Sequence, residues 1–339
     1  MNDAAPLLSL SGVEVRYPPR RRGESEARAV DGVELDIRPG EIVALVGESG
    51  CGKTTLARSI LGLQPTTAGT IRFEGEPLAT TGSGRKAYRR QAQLVFQDPS
   101  GSLNPRQSIY EIVAEGLRIH GIRDDEPRRV AEALSRCGLR PPERFILRYP
   151  HELSGGQRQR VVIAGAMALE PRLLVADEPV SSLDASVRGE ILSLLLGLAR
   201  DEGMGILVVT HDLGLAWNIA DRVAVMYLGR IVEIGRTEEL LADPQHPYTK
   251  ALLSVVPEHS AMEEQILAGE APDPTQIPSG CRFHPRCPVV ASDEAERIGI
   301  LERCLNDDPM LADPAGASVG HSVACHAVRV SIGRQPLPP

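Results

Sequence analysis

At 339 residues and 42% hydrophobic composition, the chain has room for one large domain or two modest ones with a sizeable core. Its net charge of −8 argues against a dedicated nucleic-acid binder, which carries a basic face. The longest apolar run, "ILSLLLGLA" (191–199), falls short of the ~18–20 residues a membrane helix needs. The N-terminus "MNDAAPLLSL" has no basic stretch leading into an apolar one, so it does not read as a secretory signal, and the chain is expected to stay in the cytoplasm. There, six cysteines are not expected to form a disulfide framework.

In chain order, residues 7–37 read as strands, with polar–apolar alternation in "LSLSGVEVRY" and "AVDGVELDI"; the basic-then-mixed run "PPRRRGESEARA" (18–29) between them reads as a solvated loop. "EIVALV" is short, apolar and β-branched, a buried parallel strand, and "KTTLARSILGL" reads as a helix. Between them "GESGCGKT" fits G-x-x-x-x-G-K-[ST]. In this strand–loop–helix setting the pattern is a phosphate loop, formed by Gly47, Glu48, Ser49, Gly50, Cys51, Gly52, Lys53, Thr54 and Thr55. Its glycines let backbone N–H groups curl around an anion, and the helix N-terminus adds partial positive charge. Lys53 is expected to reach the β- and γ-phosphates, the Thr54 hydroxyl to ligate Mg²⁺, and Cys51 to contribute only its backbone.

After the return strand "AQLVFQ", the pattern turns helical from Asp98 to about Arg172. "EPRRVAEALSRCGL" (126–139) places Val130, Ala133, Leu134 and Cys137 at helical spacing, which makes Cys137 a core residue. "ELSGGQRQRVVIAGAMALEP" opens an apolar helix with Ser154, Gly155, Gly156 and Gln157, a hydroxyl and free N–H groups at a helix N-terminus. That is a second anion site, which one phosphate loop does not require. Strands and helices alternate again from Leu173 to Val232. The strand "LLVA" ends in Asp177 and Glu178, at the carboxyl end where open α/β sheets bind ligands. Asp177 is expected to hold Mg²⁺, and Glu178 to orient and deprotonate an attacking water. "GILVVTHDLG" supplies a further strand ending at His211, placed to hydrogen-bond a γ-phosphate. "DPQHPYTKALLSVVP" (243–257) reads as a short amphipathic helix, and beyond Glu258 the chain is rich in Pro, Asp and Cys.

The "LSGGQ" element resembles the signature of the ATP-binding cassette (ABC) family, and the family's other motifs follow in order over about residues 7–255. Gln97 in "LVFQDP" matches the Q-loop, Asp184 in "SSLD" the D-loop, and Tyr17 in "VEVRYPP" the aromatic residue that stacks on adenine. The resemblance implies an α/β P-loop fold: a RecA-like core, an N-terminal antiparallel β-subdomain and a helical subdomain (about 98–172) within a nucleotide-binding domain over 1–257, followed by a C-terminal region over 258–339. It implies an ATPase that binds ATP and Mg²⁺, with Gln97 joining Thr54 and Asp177 as a Mg²⁺ ligand. Two cassettes pair head to tail, so that Ser154 and its glycines serve the ATP held by the other. With one copy of each motif, this chain needs a second cassette.

Three stretches are similar to peptide/nickel importer ATPases: "QDPSGSLNPR" (97–106), "HPYTKALL" (246–253) and "CRFHPRCP" (281–288). The similarity implies a subunit at the cytoplasmic face of the membrane. It would power import of di- or oligopeptides, or nickel or a related small solute, through two separate permease subunits fed by an extracytoplasmic binding protein. A heterodimer of cassettes is favoured over a homodimer. A soluble ABC ATPase acting on nucleic acid, with a zinc-binding tail, is the alternative; the absence of heptads and of a basic tract speaks against it, as the cysteine tail does against an exporter. Cys281, Cys287, Cys304 and Cys325 suit tetrahedral zinc, a [4Fe–4S] cluster or free thiols; their spacing lacks the C-x₂₋₄-C pair common in structural zinc sites. Peptide-importer ATPases with such a tail carry a [4Fe–4S] cluster, so the resemblance implies one on these four cysteines.

Overall fold

The computed structural model describes residues 5–19, 25–79, 81–96, 99–181, 183–256, 267, 269, 273–314 and 320–328. The alternating N-terminal sequence forms β1 (Leu8–Tyr17) and β2 (Ala27–Ile37), an antiparallel pair. Leu8, Leu10, Val13 and Val15 of β1 are buried. Between Leu10 and Val13 the alternation slips, and the ladder shifts register there, with Gly12 at φ 58°. The irregularity keeps the apolar residues on the inner face.

The next unit runs β3 (Ile42–Val46), α1 (Lys53–Ile60), β4 (Ala68–Phe73), β5 (Glu76–Pro77), α2 (Gly82–Gln91) and β6 (Ala92–Val95). β4 and β5 extend the first pair into an antiparallel sheet of order β2-β1-β4-β5. Four helices then precede the next strand: α3 (Pro99–Ser102), α4 (Ile109–His120), α5 (Glu126–Arg136) and α6 (Gly155–Met167). α4 starts where it does because Ser108 and Glu111 cap each other's backbone amides, at 3.3 and 2.8 Å. Val113 and Leu117 of α4, Val130 and Leu134 of α5, and Val161 of α6 share one buried cluster with Cys137, which is fully buried as its spacing predicts.

The chain returns through β7 (Leu173–Asp177), α7 (Ala185–Glu202), β8 (Gly205–Thr210), α8 (Leu213–Ile219), β9 (Arg222–Tyr227), β10 (Arg230–Arg236), α9 (Thr237–Ala242) and α10 (Pro247–Ser254). β3 lies at the centre of the second sheet, parallel to β8 and β9, with β7 and β6 continuing the parallel set beyond β8. All five residues of β3 and all six of β8 are buried, as strands covered on both faces require. This confirms the expected α/β P-loop fold. It also brings the carboxyl ends of β3, β8 and β7 together, so that the phosphate loop, His211 and Asp177–Glu178 emerge side by side. No helix among the described residues is long and apolar enough to cross a membrane.

α10 is shorter than its predicted span of 243–257. His246 caps it, accepting from the Tyr248 amide through Nδ1 at 3.0 Å, and Pro247 takes the first turn. Burial pushes the His246 pKa down to about 4, which keeps that nitrogen an acceptor.

The C-terminal region folds onto the cassette. Among its described residues are α11 (Pro288–Ala291), α12 (Glu294–Arg297), α13 (Leu301–Asn306) and β11 (Ser322–Val323). The two residues of β11 pair with Ile234 and Glu233, adding an antiparallel edge to the main sheet. Glu233 is fully buried and accepts from the amides of Gln245 and His246 at 2.8 and 2.9 Å, and it lies 2.8 Å from His321 Nε2. Burial alone raises the Glu233 carboxyl; His321, Thr249 and the two amides outweigh it and hold the group below the usual carboxylate range. Arg282 pairs with buried Asp31 of β2 in the β-subdomain and donates to Leu228 O at 2.6 Å. Phe283 and Ile277 of this region join one apolar cluster with Tyr227 and Tyr248, so the tail packs into the cassette's core. The 257/258 boundary lies outside the described residues.

Candidate nucleotide site

The phosphate loop is shaped by close backbone packing. A Cβ on Gly47, at φ 155°, would lie 2.2 Å from Met226 O of β9, and one on Gly52, at φ 112°, would lie 2.0 Å from Ala29 O of β2. No side chain fits at either position, so the loop curls tightly between the two sheets. Ser49, Gly50 and Thr54 are exposed at its mouth, while Cys51 is buried and its carbonyl accepts from the Gly229 amide at 2.8 Å. Lys53 is 8% exposed; its ammonium donates to the carbonyls of Gly47 and Glu48 at 2.6 and 2.9 Å. Among the described residues it has no carboxylate partner within ion-pair distance. Its charge is thus available to an incoming phosphate.

Asp177 closes β7, and the Thr54 side chain lies against its carboxylate. Burial pushes the Asp177 carboxyl up; the Thr54 hydroxyl pulls the other way, and the neighbouring Glu178 charge adds to the rise. A half-buried carboxylate disfavoured in this way is one that a divalent cation would stabilise, and Thr54 and Asp177 are hard oxygen ligands of the kind Mg²⁺ takes.

Glu178 sits at φ 50°, a left-handed conformation that costs a non-glycine residue about 1–2 kcal/mol. Its amide donates to Val209 O at 2.8 Å, fixing the turn against β8. Its carboxylate Oε1 lies 2.6 Å from His211 Nδ1 and accepts from the His211 amide at 3.2 Å. The His211 side chain is 62% exposed, so it can rotate to another partner. The residues predicted to flank the γ-phosphate are therefore in direct contact.

Ser154 caps α6. Its hydroxyl accepts from the Gln157 amide at 3.2 Å, and its own amide donates to Gln157 Oε1 at 3.0 Å. Ser154 is exposed, and its described hydrogen-bond partners are Gln157 and the Arg158 amide, not the phosphate loop. A Cβ on Gly156 would meet Val187 Cγ1 at 2.4 Å, which explains the glycine: α6 packs directly on α7 there. Gly155 lies beside Leu183, and exposed Asp184 caps α7 through its backbone alone. Tyr17 ends β1 half-buried and opposite Ala27, two residues from the Ala29 carbonyl that abuts Gly52. Gln97 lies outside the described residues.

Two contacts to the loop were not legible in the sequence. Arg286 and Tyr248 both bond to Glu48, from 238 and 200 positions away. The only signal was indirect: each lies in a stretch, "CRFHPRCP" or "HPYTKALL", that stands out from its surroundings.

The four C-terminal cysteines converge. Cys281, Cys287, Cys304 and Cys325 border one small, largely apolar pocket together with Val290 and Ile300. Burial pushes the thiol of Cys281 up to about 12 and that of Cys325 up to about 11, and raises Cys287 and Cys304 as well. Such thiols stay protonated unless a cationic centre stabilises the thiolates. The neighbouring histidines are engaged elsewhere: His284 Nδ1 lies 2.9 Å from Cys281 O, and His326 Nε2 lies 2.8 Å from Asp307 O. Among the described residues, no three His, Cys, Asp or Glu are arranged to hold a single metal ion. This arrangement does not support the runner-up zinc site, and it does not by itself support a cluster.

Residues 30–181 match the family model described as ABC transporter, and residues 232–293 match the one described as oligopeptide/dipeptide transporter, C-terminal region. The oligopeptide transport ATP-binding protein AppF of Bacillus subtilis is 41% identical over 333 residues, 94% of this chain and 97% of that protein. OppF of Salmonella typhimurium, also named an oligopeptide transport ATP-binding protein, is 45% identical over 303 residues, 84% and 89% of the two chains. The chain belongs to the ATP-binding subunits of peptide-type ABC transporters. As a member of that family it is an ATPase. The ABC cassette MJ0796, solved as a dimer in a post-hydrolysis state with ADP and Pi, superposes with a TM-score of 0.59 at 30% identity, covering 68% of this chain and 98% of that one. Nothing in these comparisons favours a nucleic-acid role.

Proposed function

We propose that this chain is the energising subunit of a peptide importer, working at the cytoplasmic face of a membrane. The observation that carries the chemistry is the Glu178–His211 contact beside Asp177 and the phosphate loop. The glycine-shaped loop and Lys53 bind the phosphates, and Thr54, Asp177 and Gln97 would hold Mg²⁺, which neutralises phosphate charge. Glu178, pre-set by its backbone, takes the proton of the attacking water, and His211 swings to the γ-phosphate. Tyr17 stacks on the adenine. Ser154, Gly155 and Gly156 face a second cassette, and Asp184 stands at the same joint; the MJ0796 dimer supports the pairing. The names of AppF and OppF support peptides as cargo and a transporter as the setting. On this reading the membrane partners are two permeases, the second cassette is a different chain, and an extracytoplasmic binding protein delivers the substrate. The test is ATP-driven peptide uptake by vesicles that carry the assembled transporter.

We further infer that Cys281, Cys287, Cys304 and Cys325 ligate a [4Fe–4S] cluster. Support comes from the likeness of this region to peptide-transporter C-terminal regions, taken together with the convergence on one pocket of four thiols, Cys304 buried and the other three partly buried. The cluster would act as a cross-link between otherwise short elements. Anaerobically purified protein is expected to be brown and to contain iron and sulfide in equal amounts, both lost in Cys287→Ser. Colourless protein without iron contradicts the cluster, and stoichiometric zinc would replace it with the other four-thiolate site.

A further inference from the structure

Glu48, the second residue of the phosphate loop, is held from the far end of the chain. Its carboxylate accepts two hydrogen bonds from Arg286, at 2.7 and 3.1 Å. Its amide donates to the Tyr248 hydroxyl at 2.8 Å, and its carbonyl accepts from Lys53 at 2.9 Å. Its amide, carbonyl and carboxylate are all tied, two of them to residues outside the predicted nucleotide motifs. The Arg286 pair is a forked, charge-assisted contact with little access to solvent, since the two side chains are 10% and 26% exposed.

Both anchors are themselves fixed. The Tyr248 ring packs edge-on against Tyr227, with centroids 4.7 Å apart, and Phe283 meets Tyr227 the same way at 5.2 Å. Phe283 and Arg286 belong to one short segment, Cys281–Cys287, which turns through a 3₁₀ turn at His284–Arg286. The segment sends different chemistry to its two sides. Arg282, Phe283 and Arg286 reach the cassette, at Asp31, Tyr227 and Glu48. Cys281 and Cys287, at its ends, border the cysteine pocket. Arg286 and Cys287 are adjacent, so a shift at the thiol moves the residue that grips the loop.

We propose that Cys281–Cys287 is a strut joining the cysteine pocket to the phosphate loop, in which Arg286, with Tyr248, positions Glu48 so that the loop is pre-set for MgATP. Neither residue touches the reacting atoms. Their effect falls on affinity, because a pre-organised loop spends less binding energy on ordering itself. The state of the four cysteines thereby tunes nucleotide affinity from outside the nucleotide site. The proposal rests on nucleotide binding at the phosphate loop.

The experiment is MgATP titration of the full chain by calorimetry, with KM and kcat measured in the assembled transporter. Arg286→Ala is expected to raise the Kd and KM about three- to tenfold, the scale of losing one charge-assisted pair, while kcat stays within about twofold. Glu48→Gln should raise the Kd on the same scale from the cassette side, and the double variant should be no worse than either single one. Arg286→Lys should recover part of the affinity, since it restores the charge without the fork. Cys287→Ser should weaken binding in the wild-type background and not further in the Arg286→Ala background. An unchanged Kd in Arg286→Ala, additive Arg286 and Glu48 effects, or a Cys287→Ser loss that persists undiminished without Arg286 would each overturn the strut. Equal MgATP binding by Lys53→Ala and wild type would instead overturn the phosphate-loop reading beneath it.

Discussion

Glu178→Gln lowers ATP turnover in the assembled transporter by about 10²–10⁴, the usual contribution of a positioned general base. The substitution keeps size and shape and removes only the basic oxygen, so the turn at φ 50° and the Glu178 amide bond to Val209 O are retained. Nucleotide binding, which depends on Lys53 and the loop, should hold its affinity. On the proposed pairing, in which hydrolysis loosens the closed cassettes, the variant mixed with its partner cassette should also accumulate as a MgATP-bound pair, visible as the summed mass of the two chains in size-exclusion chromatography with light scattering. The readout is the steady-state phosphate release rate beside a nucleotide titration. Turnover near wild type would remove Glu178 from the mechanism. A loss of binding along with turnover would assign it a structural role.

Ser154→Arg abolishes cooperative hydrolysis while sparing the chain's own phosphate loop. Ser154 is exposed at the head of α6, and its described hydrogen bonds remain within that helix turn. Arginine there removes the cap, worth about 0.5–2 kcal/mol to the helix, and sets a cation at the positive end of the helix dipole. Its larger effect is steric and electrostatic: on the proposed head-to-tail pairing it would fill the gap into which the γ-phosphate of the partner's ATP docks. Turnover in the transporter should fall to the slow rate of the isolated chain, and MgATP affinity of the isolated chain should stay within about twofold, since no described contact links Ser154 to Lys53. If the isolated chain lost nucleotide binding instead, the assignment of Ser154 to the other cassette's ATP would be wrong.

What could be read from the sequence was local. β3, the loop and α1 follow one another without a gap, and each carries its own signal: apolar β-branched residues, glycines where a Cβ cannot fit, and helical periodicity. The same holds for Asp177–Glu178 at a strand end and for Ser154 and Gln157, whose capping box is a four-residue pattern. The rest depended on residues meeting across the fold. β11 is two residues long, too short to show a period, and is a strand only because β10 offers an open edge. Arg286 reads as one arginine among prolines, and its partner lies 238 residues earlier. The tail was readable as rich in Pro, Asp and Cys but not as a tail that leans on Tyr227 and Tyr248. Glu178 and His211 were each predicted at the γ-phosphate, yet their contact with each other follows from the pairing of β7 with β8 and the backbone turn at Glu178.

The most direct test of the central claim is the uptake of a labelled oligopeptide by proteoliposomes that contain this chain, its permeases and partner cassette, with the solute-binding protein outside and MgATP inside. The account predicts accumulation against a gradient that requires MgATP and stops with Glu178→Gln in this chain. Brisk ATP hydrolysis without peptide accumulation, or accumulation that continues undiminished in Glu178→Gln, would contradict it.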